Sequence, residues 1–308
     1  MTLHDRTFKS RSSNNPDPFD RSALNPSHVV TPISPMHTLI LNKFYTIKDH
    51  TIVITNSFER QESLLSQYDF EAWFFCVSSI KAIGFYNSNA IAGASQAHKH
   101  MQLIPLNEIT NLSPDATYTL PVDIVIRTKI VTKEWNFFLP FGTTNGYLNG
   151  LHGNFHQGSA IPEEYLDASQ SNFYQIPQYH FKHAVVALIE ADDWAEISDN
   201  ISYSEYLVAT YRWLLTEVNL LPSITSKAAI AYGSYNLLLT DRWMMVVCRQ
   251  RESLRVTGDD FNDIDVTSIN GLGFSGMLLA RGPTALSIIK DMTPLSVLQA
   301  VSLPLVSD

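Results

Sequence analysis

Apolar and polar positions fall into short blocks along this chain, separated by Gly, Asn and Pro. Residues 38–44 form an apolar run that predicts a strand, residues 47–50 turn, and the β-branched run 51–55 predicts a second strand. Asp69 has N-cap chemistry. Behind it Phe70, Trp73, Phe74, Val77 and Ile80 recur at helical spacing as far as Lys81. Glycine and asparagine predict a break over residues 84–93, followed by strands over 100–105 and 122–131. Residues 141–160, rich in Gly, Asn and His, predict a loop, and residues 179–191 a strand that leads into a linker. Ser202 and Glu205 have capping-box spacing, ahead of a helical face of Leu207, Tyr211, Leu214 and Val218. Residues 237–239 and 244–247 flank Thr240-Asp241-Arg242 in a hairpin-like pattern, and residues 274–280 predict a further strand. Strands cluster rather than alternating with helices, so the expected class is α+β, a mostly antiparallel sheet flanked by helices. No internal repeat is visible.

Composition narrows the picture. With 308 residues, 45% hydrophobic and 17% charged, the chain can bury a sizeable core, in one large domain or two coupled ones. Residues 1–30, rich in Ser, Asn, Asp and Pro, predict an irregular arm. The remainder divides into an N-terminal half, 31–175, and a C-terminal half, 176–308. A net charge of -9 gives no electrostatic reason to expect nucleic acid or membrane as a partner. Cys76 and Cys248 both lie in apolar runs and predict buried free thiols, which excludes a disulfide framework and a cysteine-rich zinc site. No apolar run approaches the roughly 18 residues of a membrane span. The polar N-terminal residues lack a signal pattern, so the expectation is a cytoplasmic protein.

The chemistry concentrates in residues 85–105. The centre is His98-Lys99-His100-Met101-Gln102. Side chains alternate along a strand, so His98, His100 and Gln102 share one face, while Met101 and Leu103 point to a core. A neutral imidazole is nucleophilic near pH 7, and attack on an α-phosphorus would give a phosphoramidate. A covalent intermediate splits one displacement into two and lets a phosphate, rather than water, accept the nucleotide. Upstream, Gly93, Ala94, Ser95 and Gln96 offer small residues, backbone N–H groups and a hydroxyl for phosphate oxygens. His-x-His on a strand is also a metal-ligand spacing. The full pattern, Asn87-Ser88 followed by Gly93-Ala94-Ser95-Gln96-x-His98-x-His100-x-Gln102, is more specific than either reading of the histidines alone.

This segment resembles the signature of the ATP adenylyltransferases, also called diadenosine tetraphosphate phosphorylases. They belong to the histidine-triad superfamily beside galactose-1-phosphate uridylyltransferase. Both transferase families carry Gln at the third triad position, where Gln102 stands here. Further similarity lies in Leu41-Asn42-Lys43-Phe44, in residues 50–55, in Phe58-Glu59-Arg60-Gln61, and in residues 234–247 and 269–279. The resemblance implies a histidine-triad-like fold and a reaction: dinucleoside tetraphosphate plus phosphate gives ATP plus ADP, and the reverse. It implies His100 as nucleophile, with His98 and Gln102 orienting it and holding the phosphate. Asn87, Ser88, Gly93, Ala94, Ser95 and Gln96 would face phosphate and ribose, and Lys43, Tyr235, Asn236 and Arg249 polyphosphate or base. Departures are Asn15-Pro16-Asp17-Pro18-Phe19, an interrupted form of the family's Asn-Pro-Phe, and Ala97 and Cys248, where proline is common.

Related alternatives are a hydrolase, a transferase acting on adenosine phosphosulfate or a sugar nucleotide, and a non-catalytic nucleotide sensor. Neither Gly-x-x-x-x-Gly-Lys-Ser/Thr nor Gly-x-Gly-x-x-Gly occurs, so P-loop and Rossmann binding lack their signatures. His152 and His156 have metal-ligand spacing, but the surrounding glycines argue for a loop, and no resident metal site is expected. Mg²⁺ or another divalent cation is expected to arrive with the polyphosphate. No organic cofactor is expected, and the oligomeric state is not readable.

Overall fold

A computed structural model describes residues 17–111, 120–131, 174–197, 201–257, 263–280 and 282–305. The strands are β1 (Val29–Ser34), β2 (His37–Leu41), β3 (Thr51–Thr55), β4 (Ala82–Asn87), β5 (His100–Pro105), β6 (His183–Ala187), β7 (Ser234–Leu239) and β8 (Trp243–Arg249). Among the described residues they form one eight-stranded sheet in the order β1-β2-β3-β5-β4-β7-β8-β6, and every neighbouring pair is antiparallel. Strands β9 (Ser253–Thr257) and β10 (Asp263–Ser268) form a separate two-stranded ribbon. The β4–β7 pairing joins the two halves of the sequence in one sheet.

The alternation of side chains splits the molecule into two layers. On one face Val53, Tyr86, Met101, Leu103, Tyr235, Leu237 and Val246 are buried under helices α1 (Gln67–Ser79) and α5 (Tyr203–Glu217). On the other, Ile83, Phe85, Ile104, Leu238, Met245 and Val247 pack with the 3₁₀ turn Gly271–Ser275 and the C-terminal helices α6 (Pro283–Met292) and α7 (Pro294–Val301). A small third cluster, Phe19, Ile40, Ile52 and Ile54, lies on that second face near the β2–β3 edge. The remaining helices are α2 (Leu106–Thr110), α3 (Pro121–Val131) and α4 (Ala191–Ile197). Among the described residues, no helix is long and apolar enough to cross a membrane.

Several elements match the sequence pattern, and others correct it. The strand over 51–55, the Ser202–Glu205 capping box and the 237–247 hairpin form as expected. The N-cap of α1 is Ser66, and Asp69 is the N3 member of its capping box. The expected break at 84–93 begins later, because residues 82–87 are a buried central strand. Gly84 misled the pattern: the Trp73 indole lies where its Cβ would stand, 2.8 Å away, so the glycine is there for close packing. Residues 121–131 form a helix instead of a strand. Pro121 stands at its first turn, and Val122 and Ile126, four apart, are both buried, which outweighs their β-branched preference. The strand expected at 274–280 is absent: Asn270 caps the 3₁₀ turn and Gly276, at φ +100°, ends it. The 141–160 loop, His152 and His156 lie outside the described residues.

Candidate active site

Strand β5 crosses the middle of the sheet between β3 and β4, so its side chains are held from both sides. Pairing with β4 runs regularly to Phe85↔Gln102 and then stops. There the buried Gln61 carboxamide inserts between the strands. Its Nε2 donates to the carbonyls of Asn87 (2.7 Å) and His100 (3.2 Å), and its Oε1 accepts from the His100 N–H at 2.8 Å. The two strands open at Asn87 and His100 without leaving backbone groups unpaired.

His100 is buried at this opening. Its Nδ1 faces the His98 carbonyl at 2.8 Å. A carbonyl only accepts, so Nδ1 carries the proton and Nε2 keeps its lone pair. Burial pushes the imidazole pKa down to about 4, against the opposing effect of that hydrogen bond, so the ring is neutral at pH 7. No hydrogen bond among the described residues engages Nε2. The Phe19 ring lies 5.2 Å from the His100 ring and covers it from the N-terminal side.

His98 acts differently from what its place on the shared face suggests. Its Nδ1 lies 2.7 Å from the Asp17 carboxylate, and its Nε2 lies 2.8 Å from the Thr55 carbonyl. Both nitrogens are taken up by the protein, so the side chain fixes the strand end. It is the backbone carbonyl of His98 that orients His100. Asp17, in the interrupted Asn-Pro-Phe segment, carries no mark of a site residue in the sequence alone.

Asn87 faces the site from β4. Its Oδ1 accepts from Asn236 Nδ2 and from the Gly271 N–H, both at 2.8 Å. That arrangement sets the amide's direction and leaves Asn87 Nδ2, fully buried, with no partner. Asn236 is held in turn: its Nδ2 also reaches the Ala92 carbonyl, and its Oδ1 accepts from Arg249 at 2.6 Å. The resemblance makes Arg249 a candidate for polyphosphate or base contact. Instead it is buried, and its donors go to Asn236 and to the carbonyls of Ala92, Arg251, Glu252 and Val301. Burial lowers its pKa to about 9. It therefore positions Asn236 and Asn87.

Tyr235, a further candidate from the sequence, does not face the site. It lies on the opposite face of β7, buried under α5 with its hydroxyl on Tyr211. Ser88 is buried, and its hydroxyl accepts from the Tyr235 N–H at 2.9 Å, splicing β4 to β7. In the Gly93–Gln96 stretch, the N–H groups of Gly93 and Ala94 close a local turn on the carbonyls of Ala90 and Asn89, so they are not phosphate donors. Gly93 has φ +95°, and a Cβ there would meet the Ile269 carbonyl at 2.9 Å, which explains the glycine. Ser95 is exposed and Gln96 half-buried. Lys43 is exposed on the loop after β2, its Nζ 5.5 Å from the Phe44 ring centre. Among the described residues no three His, Cys, Asp or Glu side chains gather as a metal site.

Gln102 completes the site two residues beyond His100. Its Oε1 lies 3.0 Å from His50 Nε2, and His50 is buried against Phe85 with its pKa lowered to about 4 by burial. Neither His50 nor Gln61 stands out as a site residue from the sequence alone. They lie 52 and 39 positions from their partners Gln102 and His100, and only the register of the sheet brings them in.

An imidazole whose Nε2 has no hydrogen-bond partner among the described residues, on a sheet face shared with the Asn87 and Gln102 amides, stands in an α+β protein whose antiparallel sheet is flanked by helices. Comparison with known proteins makes this particular. Residues 3–128 match the Ap4A phosphorylase N-terminal domain, and residues 177–304 match the ATP adenylyltransferase C-terminal domain. The chain belongs to the family built from these two domains. Among curated proteins of Saccharomyces cerevisiae, it is 23% identical to Protein APA1 over 83% of this chain and 64% of that protein. It is 23% identical to diadenosine 5',5'''-P1,P4-tetraphosphate phosphorylase 2 over 80% of this chain and 62% of that protein. The chain thus spans less than two thirds of these relatives' length. The crystal structure of yeast Ap4A phosphorylase Apa2 has the same fold, with a TM-score of 0.64 and 22% identity over 94% of this chain and 79% of that one.

Proposed function

We propose that this protein catalyses the phosphorolysis of diadenosine tetraphosphate to ATP and ADP, and the reverse transfer, through an adenylyl group carried on His100. The observation that carries the reading is the state of His100: Nδ1–H held by the His98 carbonyl, Nε2 unprotonated and open. The Nε2 lone pair attacks an α-phosphorus. A P–N bond forms as the P–O bond to the other three phosphates breaks, and ATP leaves. An oxygen of inorganic phosphate then attacks the same phosphorus, the P–N bond breaks, and ADP leaves with His100 again neutral. Two inversions retain configuration at phosphorus.

Negative charge grows on the phosphoryl oxygens as the P–N bond forms. Asn87 Nδ2, a buried donor without a partner, supports this reading: such a group costs about 1–3 kcal/mol until an acceptor meets it, and a phosphate oxygen is that acceptor. Gln102 supplies a second amide beside it. A divalent cation, Mg²⁺ or similar, belongs to the polyphosphate substrate in this scheme. The names of the yeast relatives, a diadenosine tetraphosphate phosphorylase among them, support the choice of dinucleotide. Buried free thiols at Cys76 and Cys248 support a reducing, cytoplasmic setting.

The test is to incubate purified protein with diadenosine tetraphosphate and Mg²⁺, with and without inorganic phosphate, and to resolve the nucleotides by chromatography. ATP and ADP formed only with phosphate is the expected result. AMP formed without phosphate would replace the reading with hydrolysis.

A further inference from the structure

The hydrogen bonds behind Gln102 form a chain whose direction can be read without ambiguity. It begins at the backbone N–H of Phe44, which donates to Asn42 Oδ1 at 2.9 Å. That contact fixes which end of the Asn42 amide is oxygen. Asn42 Nδ2 therefore faces His50 Nδ1, 3.1 Å away. An amide nitrogen only donates, so Nδ1 is the acceptor and the His50 proton sits on Nε2. Nε2–H then donates to Gln102 Oε1 at 3.0 Å. The oxygen end of the Gln102 amide is used, and its NH₂ end remains free to donate. The Gln102 backbone cannot shift to escape this: it pairs with Ile52 and Phe85, and its carbonyl accepts from Trp73 Nε1 at 3.2 Å.

From this chain we infer that His50 and Asn42 are positioning residues that point the Gln102 NH₂ group, rather than its oxygen, at the phosphoryl oxygens on His100. The inference rests on the reading of His100 as the nucleophile. A freely rotating glutamine presents either end, and with the oxygen forward it repels a phosphate. The two histidines of the site are thereby held in opposite tautomers, His100 protonated on Nδ1 and His50 on Nε2, each set by a neighbour of fixed polarity. The exposed loop after β2, which carries Asn42, has a task at the centre of the sheet.

The polarity is tested directly in the wild-type protein. Two-bond ¹H–¹⁵N correlation of the imidazoles, with His50 assigned by its loss in His50→Phe, should show His50 protonated on Nε2 with a bare Nδ1. The opposite tautomer overturns the inference whatever the protein's activity. Turnover supplies the second test. His50→Phe should lower kcat by ~10–100-fold with little change in KM, the scale of a lost orienting contact. His50→Gln, whose carbonyl accepts from Asn42 and whose amide donates to Gln102, should recover most of it. In a Gln102→Ala background His50→Phe should have no further effect. Equal rates for His50→Phe and wild type, or no recovery in His50→Gln, would overturn the inference. A wild-type protein that leaves diadenosine tetraphosphate intact would overturn the reading of the site instead, with the tautomer measurement still deciding the chain.

Discussion

His100 is held by the backbone of the histidine two residues before it: the His98 carbonyl accepts its Nδ1–H at 2.8 Å, while the His98 ring turns away to Asp17 and Thr55. The proposed nucleophile and its orienting group are thus one stretch of chain. His100→Ala should cut turnover by at least ~10³-fold, as expected for a lost nucleophile, with the fold intact by circular dichroism. His98→Ala keeps the carbonyl and should lose less, roughly 10–100-fold. Steady-state rates of the two variants side by side check the ranking, and His98→Ala falling as far as His100→Ala would contradict it.

Asn87→Asp keeps the oxygen that accepts from Asn236 and Gly271 but replaces the buried donor with a second oxygen. Thermal unfolding should show a folded protein. Turnover should fall by ~10²–10³-fold, the scale of one lost oxyanion donor. An Asp variant as active as wild type would remove Asn87 from the site.

Burial holds His100 neutral down to about pH 4, so the acid limb of kcat/KM should lie near 4 and not near the ordinary histidine value of 6.5. Stability follows the same groups. His50, His100 and His183 are all depressed to about 4 by burial, so the unfolded chain binds more protons than the folded one between pH 6.5 and 4. Their contribution is fully present above 6.5 and is lost as pH falls to 4. Asp69 adds a later loss between about 3.8 and 2. Burial alone would raise its pKa, but the His37 hydrogen bond, the Lys99 charge and Ser66 lower it to about 2. Urea unfolding at a series of pH values should show the midpoint falling from pH 6.5 downwards; a flat profile to pH 4 would contradict the buried, neutral histidines.

Lys99 stands between the two histidines and points through the sheet to the other face. Its ammonium meets Asp69 at 3.1 Å and Glu59 at 2.5 Å, and both Lys99 and Asp69 are buried. Lys99→Met leaves Asp69 with His37 and Ser66 but one cation short. Stability should fall by about 3 kcal/mol, the cost of breaking one side of a buried pair. Chemical denaturation checks this, and a loss under about 1 kcal/mol would show that the other partners suffice.

Local chemistry was legible in the sequence, and long-range pairing was not. The period of two along β5 placed His100 and Gln102 together on one face and Met101 on the other, as found. The same period, applied to β7, would have separated Tyr235 from Asn236, since consecutive residues of a strand cannot both face one site. Arg249 could not be sorted this way: it lies on the correct face, but its guanidinium is surrounded by carbonyls from Ala92 and from residues 251, 252 and 301. Gln61 and His50 carry no local mark. Each acquires a role only through the β3–β5–β4 register, which brings residues far apart in sequence against His100 and Gln102. Gly84 and the 121–131 helix show tertiary packing overriding local preference, by an indole in one case and by the spacing of buried residues in the other.

Adenylylation of His100 is read out by intact-mass analysis of the protein after brief exposure to diadenosine tetraphosphate and Mg²⁺ without phosphate, followed by peptide mapping. The expected result is one adenylyl group per chain, attached at His100 by an acid-labile, base-stable bond, absent in His100→Ala and discharged as ADP when phosphate is added. Turnover to ATP and ADP with no adduct, or with the adduct on another residue, would contradict it.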